Sequence, residues 1–171
     1  ISAKMLEVAR NKNKFDSVSY RQISMEDIDY PDESFDIILS SLALHYVKDL
    51  QDVFKNAARM LKPDGLFIFS AEHPVFTAEG SQSWHVDADG QIMHWPVDRY
   101  FDEGERSAVF LGSNVVKYHH TITTYINGLI DAGFIINRLV EPMPPENMLD
   151  DDGMKNELRR PMMILFSAKK Q

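Results

Sequence analysis

A chain of 171 residues with 44% hydrophobic content can bury one sizeable core and is most simply a single domain, residues 1–171. Its formal net charge of −8 argues against nucleic acid as a bulk partner, since phosphates are repelled over most of the surface, with Arg159-Arg160 a dense basic pair. Cysteine is absent, which excludes disulfides and thiolate chemistry and fits a cytoplasmic location, and no stretch is apolar for long enough to cross a membrane.

Ser2 is placed as a helix N-cap. SAKMLEVARNKN predicts a helix from about Ala3, with Met5, Leu6 and Ala9 on one face and Ile1 stapled onto Leu6. VSYRQI, Val18 to Ile23, alternates like a strand. FDIILSS, Phe35 to Ser41, is an apolar run suited to a sheet covered on both faces. Leu50, Val53, Phe54, Ala57 and Leu61 recur at helical spacing and predict an amphipathic helix over Lys48 to Leu61. KPDG then stops it, because Pro63 cannot continue a helix and Asp64-Gly65 turns the chain. LFIFSAEH reads as a second buried strand. Strand, helix and strand with turn chemistry at each joint imply a right-handed parallel crossover.

From about 75 to 117 the periodicity dissolves, and Trp84, Trp95, Tyr100 and Phe101 stand among acids and glycines. Irregular chain of that length in a compact domain predicts a cap-like insertion: a lid, a binding loop or a small hairpin subdomain. Order returns in YHHTITTYINGLIDAGF, where Ile122, Ile126, Leu129 and Ile130 form a helical stripe and Gly133 ends it. Phe134 to Pro142 is the next strand, and a charged loop follows. The apolar MMILF run predicts that Pro161 to Lys169 enters a mostly parallel α/β sheet as its one antiparallel strand, beside Phe134 to Glu141.

In open α/β sheets, ligands lie beyond the carboxyl ends of the strands. Ser40, Ser41 and Leu42 follow one such end, and Ser24, Met25 and Glu26 follow another. Small serines admit a ligand close to the backbone, Leu42 and Met25 could sandwich a flat ring, and Glu26 could accept from a hydroxyl or amine. The same residues would equally serve as helix caps and core.

The run ISMEDIDYPDESFDIILSSLALHYVKDLQDVFKNAARMLKPDGLFIFSAEHP resembles class I S-adenosylmethionine-dependent methyltransferases of the small-molecule type. The likeness rests on Ser24-Met25-Glu26, Pro31 with Ser34-Phe35-Asp36, Ala43-Leu44-His45 with Asp49, and Leu61 to Gly65, in that order and spacing. The helix around Ile122 and the last two strands resemble the family's closing segment. The resemblance implies a Rossmann-like sheet, S-adenosylmethionine as cofactor and a small-molecule hydroxyl, amine or carboxylate as methyl acceptor. It places Ser24, Met25 and Glu26 on the adenine side, and Ser40, Ser41 and Leu42 along the sugar and methionine portion. The family's glycine-rich loop and the acidic residue that grips the ribose have no counterpart here. By that likeness the chain reads as the later two-thirds of such an enzyme, expected to bind the cofactor weakly or not at all alone and to present an open sheet edge through which copies could associate. Ser24 stands where the family more often has an acid.

His45, His120 and His73 are the candidate general bases, each at a strand exit or beside the insertion, with His45 favoured over His120 because a buried strand fixes its position. Trp84, Trp95 and Tyr100 are the candidate walls of an acceptor pocket. Packing and surface roles are the alternatives for all six. His119-His120 has neither i,i+4 spacing nor a clear third ligand, so no metal is expected. A nucleotide-cofactor oxidoreductase of Rossmann type and a non-catalytic binding or assembly module are the competing readings.

Overall fold

A computed structural model describes residues 2–171, Asp152 by its backbone only; the staple of Ile1 onto Leu6 lies outside the described residues. The chain divides into two compact units, residues 1–30 and residues 31–171. In the first, Ser2 caps α1 (Ala3–Lys12) by accepting from the Met5 amide at 3.2 Å. Val18 to Ile23, expected as a strand, has no regular structure. Alternation alone does not satisfy backbone polar groups, and no strand pairs with this segment among the described residues. The Tyr20 carbonyl accepts instead from the Arg10 guanidinium at 3.3 Å.

The second unit is built on β1 (Phe35–Ser41), α2 (Leu50–Met60) and β2 (Leu61–Glu72). Asp49 caps α2, accepting from Gln51 and Asp52 amides at 3.0 and 3.3 Å, so the helix starts two residues later than Lys48. Leu61 already belongs to β2 and pairs with Phe35, whereas the next pair is Ile37 with Leu66. Residues 62–65 therefore bulge out of the ladder, with Asp64 left-handed at φ 62°.

The insertion follows as α3 (Pro74–Thr77), a short hairpin of β3 (His85–Val86) and β4 (Ile92–His94), and a longer one of β5 (Gly104–Phe110) and β6 (Ser113–His119). A small hairpin is among the expected alternatives for this segment, but the sequence does not locate the second one: Leu111 and Gly112, at φ 50° and 77°, make its two-residue turn, and a leucine carries no turn signal. α4 (Ile122–Asp131) is capped by Thr121, and Gly133 after it is left-handed at φ 88°. β7 (Phe134–Val140), the short α5 (Asp152–Glu157) and β8 (Met163–Lys170) complete the chain.

The main sheet has the order β1-β2-β8-β7, with β8 antiparallel to both neighbours and β1 parallel to β2. The C-terminal strand thus lies beside β7 as expected. β1, β2 and β7 run in one direction and β8 alone runs against them, so the sheet is mixed, with the one antiparallel strand that was expected. One face packs on α2 and α4 through Phe54, Phe67, Phe69, Tyr125 and Phe166, with Phe69 and Phe166 rings 4.9 Å apart. The other face is not covered along β1 among the described residues, where Ile37 and Leu39 are 57% and 72% exposed. That departs from the doubly covered strand expected of FDIILSS, because both long helices of this unit lie on the same side. β1 is also an edge strand.

Candidate active site at the carboxyl ends of the strands

β1 and β2 run parallel, so Ser41 and Ser70 stand opposite each other at the exit end of the sheet. The next residue, Leu42, is left-handed at φ 50°, a conformation costing a branched side chain on the order of 1–3 kcal/mol. Its amide is held by the Ser70 carbonyl at 3.0 Å and the Ser70 hydroxyl at 3.1 Å. The Leu42 side chain stays exposed, and Ser40 Oγ is buried with no hydrogen-bond partner among the described residues. Ser24, Met25 and Glu26 belong to the first unit, on a turn closed by Asp27 N donating to Ser24 O at 3.2 Å and Ile28 N to Met25 O at 3.4 Å. The Ser24 hydroxyl donates to the Asp27 carboxylate, Met25 is half-buried and Glu26 is exposed.

The three candidate histidines are all buried but differ in which nitrogen is engaged. His45 Nδ1 accepts from the Glu72 amide at 3.2 Å, which leaves the proton of the neutral ring on Nε2, 4.0 Å from Glu72 Oε1. Burial pushes its pKa down to about 4, against the attraction of Glu72 and with the repulsion of Lys117. His73 Nδ1 accepts from the Val75 amide at 3.0 Å, capping α3, and its Nε2 lies 2.8 Å from Glu141 Oε1. Burial lowers its pKa and the Glu141 carboxylate opposes the shift. His120 is held the other way round: Nε2 donates to the Val47 carbonyl at 2.9 Å, and Nδ1 takes no hydrogen bond among the described residues. His120 lines a cleft of ≈ 340 Å³ with Lys48, Asp49, Gln51, Glu103 and Thr124. The N-termini of α2 and α4 flank it, at the end of the sheet where β1 exits.

The insertion does not bring Trp84, Trp95 and Tyr100 together as one wall. Arg160 lies over the rings of Trp95, Phe76 and Trp84 at 4.1, 4.6 and 5.0 Å, and pairs with Glu157 at 2.7 and 3.1 Å. Arg159 lies over Trp84 and donates to the Ile92 and Met93 carbonyls. The basic pair is thus engaged by the short hairpin. Tyr100 instead accepts at its carbonyl from His119 Nε2 at 2.9 Å and at its hydroxyl from the Ile122 amide at 3.3 Å. At the end of β2, Glu72 pairs with Lys117 at 2.5 Å, and Gln82 bonds both, to Lys117 at 2.8 Å and Glu72 at 2.6 Å. Lys117 is 1% exposed.

A family model described as a methyltransferase domain matches residues 1–69. The crystal structure of an S-adenosylmethionine-dependent methyltransferase from Listeria monocytogenes is 49% identical, with a TM-score of 0.95 over 99% of this chain and 77% of that one. The chain belongs to the S-adenosylmethionine-dependent methyltransferases. A second such methyltransferase structure, from Mesorhizobium loti, is 39% identical with a TM-score of 0.89 over 99% and 77% of the two chains. Demethylmenaquinone methyltransferase of Lactobacillus johnsonii is 31% identical over 160 residues, 90% of this chain and 54% of its own length. The chain spans between 31% and 56% of the length of the curated relatives it matches. No helix of this methyltransferase chain is long and apolar enough to cross a membrane among the described residues. Glu72, Lys117, Gln82 and Glu103 escaped the reading of the methyltransferase sequence. Glu72 could have been found as the first acid after an apolar strand, and Lys117 as the one cation inside the alternating SNVVKYH.

Proposed function

We propose that the protein catalyses S-adenosylmethionine-dependent methyl transfer to a small-molecule hydroxyl, amine or carboxylate. The observation that carries this reading is the 49% identity, at a TM-score of 0.95, to the Listeria monocytogenes methyltransferase over nearly the whole chain. The strand end fits such a cofactor: an orphaned buried hydroxyl on Ser40 and a strained, exposed Leu42 are what a ligand laid against β1 would use. Ser40, Ser41 and Leu42 are proposed to hold its sugar and methionine portion, and Ser24, Met25 and Glu26 its adenine. Asp27, already bonded to Ser24, is added as the acid of that turn. The cofactor, when bound, supplies a methyl group activated on a sulfonium.

What remains for the chain is alignment, exclusion of water and, for a hydroxyl or protonated amine, removal of a proton. A carboxylate acceptor needs no base. Among the three histidines we place the base at His120. Its Nε2–H is committed to Val47, so the Nδ1 lone pair is free for a proton, whereas those of His45 and His73 already accept backbone amides. A second reading, methylation of an aromatic carbon, is favoured by the identity to demethylmenaquinone methyltransferase.

Calorimetric titration of the intact protein with S-adenosylhomocysteine, followed by single-turnover transfer to phenols, amines, carboxylic acids and hydroquinones, tests the proposal. Binding of S-adenosylhomocysteine and transfer to one class are expected. Binding of a nicotinamide dinucleotide instead would favour the oxidoreductase reading, and binding of neither the assembly module. A His120→Asn rate within a few-fold of the parent would remove the base assignment, since general-base loss costs roughly 100- to 10,000-fold.

A further inference from the structure

The segment that leaves the first part of the insertion, Tyr100 to Gly104, grips the start of α4. Glu103 Oε1 accepts from the Thr121 amide at 2.7 Å and from the Thr124 hydroxyl at 2.5 Å. Tyr100 adds two more bonds, to the His119 ring and the Ile122 amide. The Thr121 amide is the nitrogen of the His120–Thr121 peptide, so the Glu103 carboxylate sets the peptide plane directly after His120. Val47 holds the same ring from the other side, at the end of the loop that follows β1. The imidazole is therefore fixed at one nitrogen by the frame and at its backbone by the insertion. Ordinary capping of α4 is already supplied by Thr121, whose hydroxyl accepts from the Thr124 amide at 3.2 Å. Glu103 adds to that cap from a distant segment, taking the Thr121 amide that the hydroxyl does not, while lining the same ≈ 340 Å³ cleft as His120.

We propose that Glu103 is a positioning residue for His120, holding the His120–Thr121 peptide so that Nδ1 stays open to the cleft. This rests on the methyl-transfer reading above and assigns the insertion a part in it. In the step served, the acceptor's X–H proton passes to His120 Nδ1 and the electron pair of X forms the bond to methyl carbon. The carbon–sulfur bond breaks, and its electrons return to sulfur, leaving a neutral thioether and an imidazolium. The insertion then acts by orienting the base, not by lining an apolar wall with Tyr100. The cleft around the ring offers acceptors, the Glu103 and Asp49 carboxylates and Nδ1 itself, together with donors, the Lys48 ammonium and the Gln51 amide.

The test compares the intact protein with Glu103→Ala and Glu103→Gln; glutamine keeps an oxygen for Thr121 and Thr124, alanine does not. Ring ¹⁵N shifts of His120, assigned by their loss in His120→Asn, report the tautomer above the ordinary imidazole pKa. The parent should show a single Nε2–H form, Glu103→Ala a mixture, and Glu103→Gln the parental form. Single-turnover transfer to whichever acceptor the parent takes should fall roughly tenfold in Glu103→Ala, about one pKa unit's worth of free energy. It should return in Glu103→Gln with the cofactor affinity unchanged. Parental ring shifts in Glu103→Ala overturn the proposal whatever the activity does, as does a glutamine variant as impaired as alanine. If the parent binds no S-adenosylhomocysteine, the methyl-transfer reading fails; the ring shifts still decide whether Glu103 positions His120.

Discussion

The frame and the insertion of this methyltransferase chain are held together by different forces. In the turn after β1, in α2, β2 and β8 the buried side chains are almost all apolar: Leu44, Phe54, Phe67, Phe69, Ile164 and Phe166. In the insertion the buried set includes Arg106, Lys117 and His119, each tied to named oxygens. Arg106 alone donates to the carbonyls of Ala78, Asp102, Arg99 and Glu105. Apolar burial scales with area and tolerates adjustment, whereas a buried cation is stable only while its partners stay in place. A frame of the first kind can carry an insertion of the second, whose few directional bonds decide how the cleft is shaped.

The largest loss should come from the frame. Phe69 touches four aromatic rings and is 1% exposed, so Phe69→Ala should cost about 3–5 kcal/mol, read as a lower urea midpoint for the whole unit. If the insertion melted separately while the sheet held, the contrast drawn here would fail.

Lys117→Met attacks the insertion's own tie. It strands the Glu72 carboxylate, whose side chain is 11% exposed, and should cost about 3 kcal/mol. Lys117→Met with Glu72→Gln should recover most of that loss. A double variant no better than the single one would mean that packing, not charge, joins the two regions.

Acid offers a third comparison, through His45. Its pKa is about 4 folded against 6.5 unfolded, so above pH 6.5 the ring is neutral in both states and contributes no pH dependence. As pH falls from 6.5 to 4 only the unfolded chain takes the proton, and stability drops by a total of about 3 kcal/mol before levelling. Burial moves His73 and His119 in the same direction, so His45→Gln should lose part of the parent's acid sensitivity and keep the rest. Denaturation midpoints of both proteins across that window decide it; identical slopes would clear His45.

The smallest effect is expected at Trp95, which stacks on Phe76 at 4.9 Å, carries the Arg160 guanidinium and donates from its indole to Val75 O at 3.1 Å. Trp95→Ala should cost about 1–2 kcal/mol, confined to the short hairpin and seen as faster amide exchange over residues 85–94. Weaker acceptor binding without faster exchange would restore Trp95 as a pocket wall.

The same contrast explains what could be read in advance. Residues recurring at period 3.6 located α2 and α4, and the apolar runs FDIILSS, LFIFS and MMILF located three strands of the sheet, because repeated burial leaves a repeated pattern. The strand-end residues Ser40, Ser41 and Leu42 were legible for the same reason: the apolar run stops there. Val18 to Ile23 misled because alternation records a face, not a partner. The hairpin from Gly104 to His119 was hidden by a leucine in its turn and a lysine inside its strand.

Chain order and composition settled the α/β class, the parallel crossover, the antiparallel last strand beside Phe134 to Glu141 and the point where β1 ends, since each follows from local periodicity or turn chemistry. Which nitrogen of each histidine is free, that Trp84 and Trp95 enclose Arg160 while Tyr100 serves α4, and that Glu103 reaches the peptide after His120 came only with the tertiary structure. Most of those outcomes depend on single hydrogen bonds between residues 18 to 73 positions apart. Such a bond needs one donor and one acceptor within about 3 Å and repeats nowhere along the chain, so it leaves no pattern to be read.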